Sequence, residues 1–182
     1  MKFTNAEKLI VTMLADLHEK LGIAEVDTKL IKQAIYSNNT WALSWGLPGF
    51  VGESPEPAPP EVSLVLDILD MWTFIEDAYE SLNASGKSAL EAKTELFGRE
   101  VTFSGFDGNS ESEHLSIASF SVKDMKRFTR FADRDLNSHR PMSDGYKRML
   151  AKFLAIRPEL GRRGLSAEEL ADVLNARRHS GL

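Results

Sequence analysis

The longest apolar stretch of the chain, residues 60–83, has the spacing of a helix that is buried on several sides. Apolar residues recur three and four positions apart, and further apolar residues widen that face beyond a single stripe. Pro60 suits the first turn, where a backbone N–H has no helical partner to lose. We therefore predict a central helix about 36 Å long. Asp67, Asp70, Glu76 and Asp77 lie within it, and such charges are costly in hydrocarbon, so we expect no membrane span.

The first 36 residues predict a helical hairpin. Thr4 and Glu7 form a capping box at the start of the first helix, and Gly22 supplies its stop. A second helix begins after Asp27, and the short connection favours an antiparallel pair. The first helix has one apolar face, made of Leu9, Ile10, Met13, Leu14, Leu17 and Leu21.

Residues 37–60 form an apolar, proline-rich loop. Trp41, Trp45 and Phe50 make this segment too apolar for a free linker, and the SPEPAPP run is stiff and extended. The loop either packs on the core, which we favour, or serves as a partner-binding arm.

Further helical patterns follow the central helix. They cover residues 87–97, residues 109–122, residues from Ser143 to just before Pro158, and a last helix behind the capping box of Ser166 and Glu169. Residues 101–108 read as an extended connector, since no second strand is available to pair with them. The chain is thus predicted to be all-α, a multihelical single domain over 1–182 with about seven helices and little or no sheet.

Composition narrows the possible chemistry. The 182 residues include 42% hydrophobic residues and no cysteine, which excludes disulfides, thiolate metal sites and a cysteine nucleophile. The N-terminus has no signal-peptide pattern, so we expect a cytoplasmic protein.

Charge is distributed unevenly along the chain. Residues 123–182 carry 14 Lys and Arg against 8 Asp and Glu, whereas the preceding residues are strongly acidic. If the 109–122 helix continues, Lys126, Arg130 and Arg134 fall on one side of it. These residues could bind nucleic acid, but we favour attraction between the basic and acidic parts of the protein. The acidic line of the central helix is the expected docking place.

Two further groups could carry chemistry. Asp67 and Asp70 lie three residues apart on one helix face, where paired carboxylates can share a proton or bind Mg²⁺. We favour a structural role for them. Glu111 and His114 have the E-x-x-H spacing of di-iron bundles, but those bundles need the motif twice, and it occurs once here. A metal-dependent hydrolase is therefore a remote alternative, and we expect no cofactor and no metal.

Several motifs in order along the chain resemble the YfbU family of bacterial proteins. They are TNAEKLI from Thr4, DILDM from Asp67, VTFSGFD from Val101, YKRML from Tyr146 and LSAEEL from Leu165. The loops at 41–60 and 157–164 depart from the family pattern. The resemblance implies a multihelical, oligomeric cytoplasmic protein and provides no catalytic residues.

The sequence thus favours a protein that associates with itself or with another protein, without enzymatic activity. Its apolar surplus motivates this prediction: the central helix, three tryptophans, and Phe50 beside the proline-rich loop. Nucleic-acid binding through residues 123–134 is the alternative. The candidate interaction residues are Asp67, Asp70, Lys126, Arg130, Arg134, Trp41, Trp45 and Phe50.

Overall fold

Eight α-helices make up the architecture of the part of the chain that the computed structural model describes, residues 3–47, 57–161 and 163–178. They are α1 (Asn5–Leu21), α2 (Thr28–Tyr36), α3 (Leu43–Gly46), α4 (Pro60–Ser81), α5 (Ala84–Thr94), α6 (Ser112–Ser119), α7 (Ser143–Leu160) and α8 (Ala167–Asn175). Short 3₁₀ turns lie at Thr40–Ala42, Glu95–Gly98 and Thr129–Phe131. Over these described ranges there is no named strand, so the all-α prediction is confirmed.

Helix α4 is the predicted central helix and packs against α6, α7 and α8. Nine of its residues are buried, spread around most of its circumference. Trp72 meets the rings of Phe103 and Tyr146 at 5.9 Å and 5.5 Å between centroids. The apolar surface of the central helix is therefore buried in the core of the same chain.

The N-terminal hairpin forms as predicted. Thr4 and Glu7 make the capping box of α1, and Gly22 ends the helix in the left-handed region at φ 69°. The Asp27 side chain caps α2 by accepting the Leu30 N–H at 2.9 Å. Helix α1 packs chiefly on α2, and Ala15 is its one buried residue.

The 109–122 helix does not continue toward residue 134, so the condition for Lys126, Arg130 and Arg134 to lie on one side of it is not met. After α6 the chain forms a π-helical turn over Phe120–Asp124, and then Lys126 and Phe128 adopt positive φ angles of 54° and 50°. These left-handed residues break the helical stacking. Leaving the helix lets Phe131 enter the core, 5.2 Å from the Phe103 ring. The regular basic face predicted for 123–134 therefore does not form.

The prediction that the helix from Ser143 ends before Pro158 is also wrong, because α7 continues to Leu160. A proline in the last turn removes only one late helical hydrogen bond, which costs less than in a helix interior. Leu160 is almost fully buried, and its burial favours completion of the turn.

Residues 101–108 form the predicted extended connector and cross beside residues 136–138. Phe106 donates its N–H to Leu136 O at 2.9 Å and accepts from Ser138 N at 3.1 Å. Gly105, at φ 85°, makes this approach possible because a Cβ there would overlap the Leu136 carbonyl. The crossing fixes the connector over the aromatic core.

Candidate functional site

The most distinctive surface of the described residues is the outer side of α1. Nine large apolar residues are exposed in this part of the molecule, and six of them lie on α1, with exposed fractions of 51–71%. We call these six the α1 face: Leu9, Ile10, Met13, Leu14, Leu17 and Leu21. The predicted apolar side of α1 thus faces outward, away from α2.

Polar contacts between α1 and α2 fix this orientation. Lys32 on α2 forms ion pairs with Asp16 at 3.1 Å and Glu19 at 2.7 Å on α1. The hydroxyl of Thr28 donates to Glu19 at 3.0 Å. The hydrogen bond from Lys32 and, to a smaller extent, that from Thr28 hold the pKa of Glu19 below its usual value. The charged edge of α1 is therefore bound to α2, which leaves the apolar side turned to solvent.

The acidic line of α4 receives basic residues from the C-terminal third, as the charge asymmetry predicts. Arg157 binds Asp70 with its Nη2 at 2.9 Å and its Nε at 3.1 Å. Asp67 forms no ion pair with a described residue. Partial burial, with Asp70 adding like charge, raises the pKa of the Asp67 carboxyl. The two aspartates thus differ: Asp70 is the ion-pair partner of Arg157, whereas Asp67 forms no ion pair of its own with a described residue and feels Arg157 only at longer range.

A stronger contact lies nearly two helical turns further along α4. Glu76 is only 3% exposed and binds Arg134 through two parallel hydrogen bonds of 2.6 Å and 2.8 Å. Its Oε1 also accepts the Phe103 N–H at 2.7 Å. Arg130 binds Asp77 and, at 2.6 Å, Glu80. The sequence identified Asp67 and Asp70 as candidate interaction residues but did not identify Glu76, whose burial only the fold shows.

These ion pairs bear on the candidate nucleic-acid residues. The guanidiniums of Arg130 and Arg134 are neutralised by carboxylates of α4. Glu80, with Asp77 and Glu76, raises the pKa of Arg130. Lys126 alone of the three is exposed without an ion pair to a described residue. Lys123 and Arg127 are also exposed without an ion pair to a described residue. A groove that tracks phosphates would therefore have to use these three cations, since Arg130 and Arg134 are bound to α4.

The tryptophans of the 37–60 loop lie against the core. Trp41 is buried, meets Trp45 edge-on at 5.3 Å and donates its Nε1–H to Asn39 at 3.0 Å. Trp45 is partly covered, with the Arg127 guanidinium 5.1 Å from its ring. The favoured interpretation, packing on the core, is confirmed for these two residues. Phe50 lies outside the described residues.

His114 joins three helices through hydrogen bonds. Its Nδ1 lies 2.8 Å from Ser143 Oγ, and its Nε2 lies 2.8 Å from Glu61 Oε2. This serine–histidine–carboxylate row resembles the order of a hydrolase triad. Ser143, however, is 6% exposed, and its N–H is bound to Glu111. A nucleophile must reach its substrate, so this row ties the starts of α4 and α7 to α6.

Glu111, the other half of the E-x-x-H motif, faces backbone amides. Its carboxylate accepts hydrogen bonds from the N–H groups of Asp107, Met142 and Ser143 at 2.7–3.0 Å. Burial raises the pKa of Glu111, but these hydrogen bonds together outweigh it and hold the pKa below its usual value. No cluster of three His, Asp or Glu suited to a metal occurs among the described residues. The motif thus serves as a helix and loop cap.

Comparison with known proteins places the chain in a family. The YfbU domain matches residues 1–176. The UPF0304 protein MJECS11 of Methanocaldococcus jannaschii is 30% identical over 121 residues, covering 64% of this chain and 67% of the relative. Among the described helices, none has the length and hydropathy to cross a membrane. The match to the domain over nearly all of the sequence, with the helical architecture above, shows that the chain belongs to the YfbU family.

Proposed function

We propose that this protein works as a homodimer whose two copies meet through the α1 face. The observation that supports the proposal is the exposure of its six large apolar side chains on one helix. A monomer leaves them in water, at a cost of about 1 kcal/mol for each half-exposed side chain. Contiguous exposed apolar surface of this kind typically marks an interaction site.

The central helix and the tryptophans, from which the sequence predicts self-association, are not available to a partner. Trp41, Trp72 and most of α4 are buried within the chain itself. Those residues cannot also cover a partner without unfolding. Helix α1, in contrast, contributes little to the core and keeps its apolar side available for a second copy.

The spacing of the α1 face favours a second copy of this chain as the occupant. Ile10, Leu14, Leu17 and Leu21 are separated by four, three and four residues, the spacing of coiled-coil core positions. This order reads the same in both directions. An antiparallel copy related by a twofold axis therefore sets Ile10 against Leu21 and Leu14 against Leu17, giving four aliphatic layers.

Charged residues are placed so that they do not oppose this pairing. Asp16 and Glu19 are held by Lys32 at the α2 side. In the antiparallel register Lys20 lies beside Met13 of the second copy, so no like charges meet. The rest of the domain then serves as the folded support that keeps α1 in place.

The test is a measurement of mass in solution on the full chain and two variants. Leu14→Glu with Leu17→Glu places charges in the middle of the α1 face, and Leu154→Glu is a matched control at a 48%-exposed leucine on α7. Sedimentation equilibrium at micromolar concentration should give a dimer for the wild type and for Leu154→Glu. It should give a monomer for the double variant, with unchanged circular dichroism. A monomeric wild type would contradict the proposal. That result is expected if another segment of the same chain covers the α1 face.

A further inference from the structure

A cleft unrelated to α1 opens between the segment after α5, the loop before α7 and the end of α8. It consists of two adjoining depressions of about 760 Å³ and about 580 Å³, which share Phe97, Arg140 and Arg177. Thr102, Ser104 and Ser138 place hydroxyl groups along the first. These volumes lie in the range of roughly 300–1,000 Å³ that is typical of small-molecule sites.

Arg177 is the central cation of this cleft. Its guanidinium carbon lies 5.4 Å from the centroid of the Phe97 ring and 5.8 Å from that of Tyr146, and one nitrogen contacts Met142 Sδ at 3.6 Å. No carboxylate of a described residue pairs with it. Burial, together with the charge of Arg140, lowers its pKa. A partly buried cation without a counter-charge is costly to the protein, so its retention needs a reason.

Two further arginines line the same cleft without an acidic partner among the described residues. Arg140 is exposed on the loop before α7 and is close enough to affect Arg177 electrostatically. Arg148 lines the second depression, where its Nη2 donates to the Arg177 carbonyl at 2.7 Å. The Arg148 Nε is buried, and no described group accepts a hydrogen bond from it. Three arginines from three elements therefore line the second depression.

The acidic residues of the lining do not neutralise them. Glu111 is occupied by three backbone N–H groups. Glu100 and Asp144 are exposed at the rim and form no ion pair with a described residue. The arrangement differs from the contact on α4, where every arginine of the 130–134 segment meets a carboxylate.

We propose that this cleft binds the phosphate group of a small phosphorylated molecule, with Arg140 and Arg177 as the phosphate ligands. Two guanidiniums arriving from different elements suit an anion with several acceptor edges, which a phosphate monoester offers. The hydroxyl-lined first depression then accommodates the polar remainder of the molecule. Gly145 keeps the site open, because a Cβ there would come within 3.2 Å of the Arg177 side chain.

The test measures binding of inorganic phosphate and of adenosine 5′-monophosphate at constant ionic strength, by calorimetry and thermal shift, with adenosine as the uncharged control. The full chain is compared with Arg140→Gln, Arg177→Gln and Lys147→Gln. Lys147 is exposed one residue from Arg148 but does not line the cleft, so its variant removes the same charge elsewhere.

Both phosphate probes should bind the wild type and Lys147→Gln, adenosine should not, and each arginine variant should bind at least about tenfold more weakly. Arg140 is exposed, so its variant folds and remains decisive if Arg177→Gln does not. Absence of binding to the wild type, or equal binding to all four proteins, would overturn the proposal. The oligomeric state is measured independently, so either proposal can fail alone.

Discussion

Arg134 donates two hydrogen bonds to the carboxylate of Glu76, with nitrogen–oxygen distances of 2.6 Å and 2.8 Å, and Glu76 is almost fully buried. The pair joins α4 to a segment more than fifty residues later in the chain. The Phe103 N–H completes the coordination of the carboxylate. This contact attaches the basic C-terminal third to the acidic central helix.

We expect Glu76→Gln to lower the free energy of unfolding by about 3 kcal/mol, because it leaves Arg134 partly buried without a counter-charge. Glu80→Gln is the matched control one turn later on α4, where the carboxylate is 61% exposed. It should cost at most about 1 kcal/mol. Urea unfolding followed by circular dichroism measures both. Equal losses in the two variants would show that burial does not distinguish these ion pairs.

A pH effect is expected at α8. The Arg163 guanidinium donates two hydrogen bonds to the Glu169 carboxylate, at 2.7 Å and 2.8 Å. This contact is the main cause that lowers the pKa of Glu169 to about 2, and the hydrogen bond from the Ser166 N–H is the second cause. A carboxyl whose pKa is lower in the folded state than the usual 4.5 stabilises the fold above that value. The contribution is lost as pH falls from about 4.5 toward 2.

Titration of the Glu169 side chain by nuclear magnetic resonance measures this pKa directly. In Arg163→Gln the pKa of Glu169 should rise toward its usual value, while the Ser166 amide keeps it below 4.5. The loss of stability in acid should then be smaller and should be complete at a higher pH. An unchanged Glu169 titration in the variant would contradict the assigned cause.

Gly105 is expected to tolerate no side chain. Gly105→Ala combines a φ of 85° with overlap of the new Cβ on the Leu136 carbonyl, and should cost about 2 kcal/mol or more. Gly164→Ala is the control, since a Cβ there meets no atom within 4 Å. Thermal unfolding that gave similar melting temperatures for both variants would rule out this account of the crossing.

Sequence periodicity predicted the fold well where local signals act alone. The structure contains the predicted capping boxes at Thr4 and Ser166 and the predicted central helix. It also contains the predicted helix that begins after Asp27. It failed at Lys126 and Phe128, because their left-handed backbone results from the burial of Phe131 and the reach of Arg134 to α4. Neither contact has a local signature in sequence.

The candidate site was predictable only in part. The apolar stripe of α1 is visible in the sequence, but a helical stripe indicates burial without saying what covers it. The structure shows that α2 binds the charged edge instead. Likewise, Arg140 and Arg177 are 37 positions apart, and only the fold brings them to one cleft.

The orientation of the proposed dimer can be tested because the chain has no cysteine. In the antiparallel register Ile10 faces Leu21 of the second copy, while the two Ile10 residues lie about 16 Å apart along the helix. Mild oxidation should therefore cross-link a mixture of Ile10→Cys and Leu21→Cys chains into heterodimers. Each variant alone should remain largely uncrosslinked. Efficient cross-linking of Ile10→Cys with itself would indicate a parallel pair.

The proposed joining of two copies through α1 is tested by the mass of the wild-type protein, measured by sedimentation equilibrium at micromolar concentration. The measured mass should be twice the chain mass of 20.3 kDa, and it should fall to that of one chain when Leu14 and Leu17 are both replaced by glutamate. A wild-type mass of a single chain, or a dimer that survives the double substitution, would contradict it.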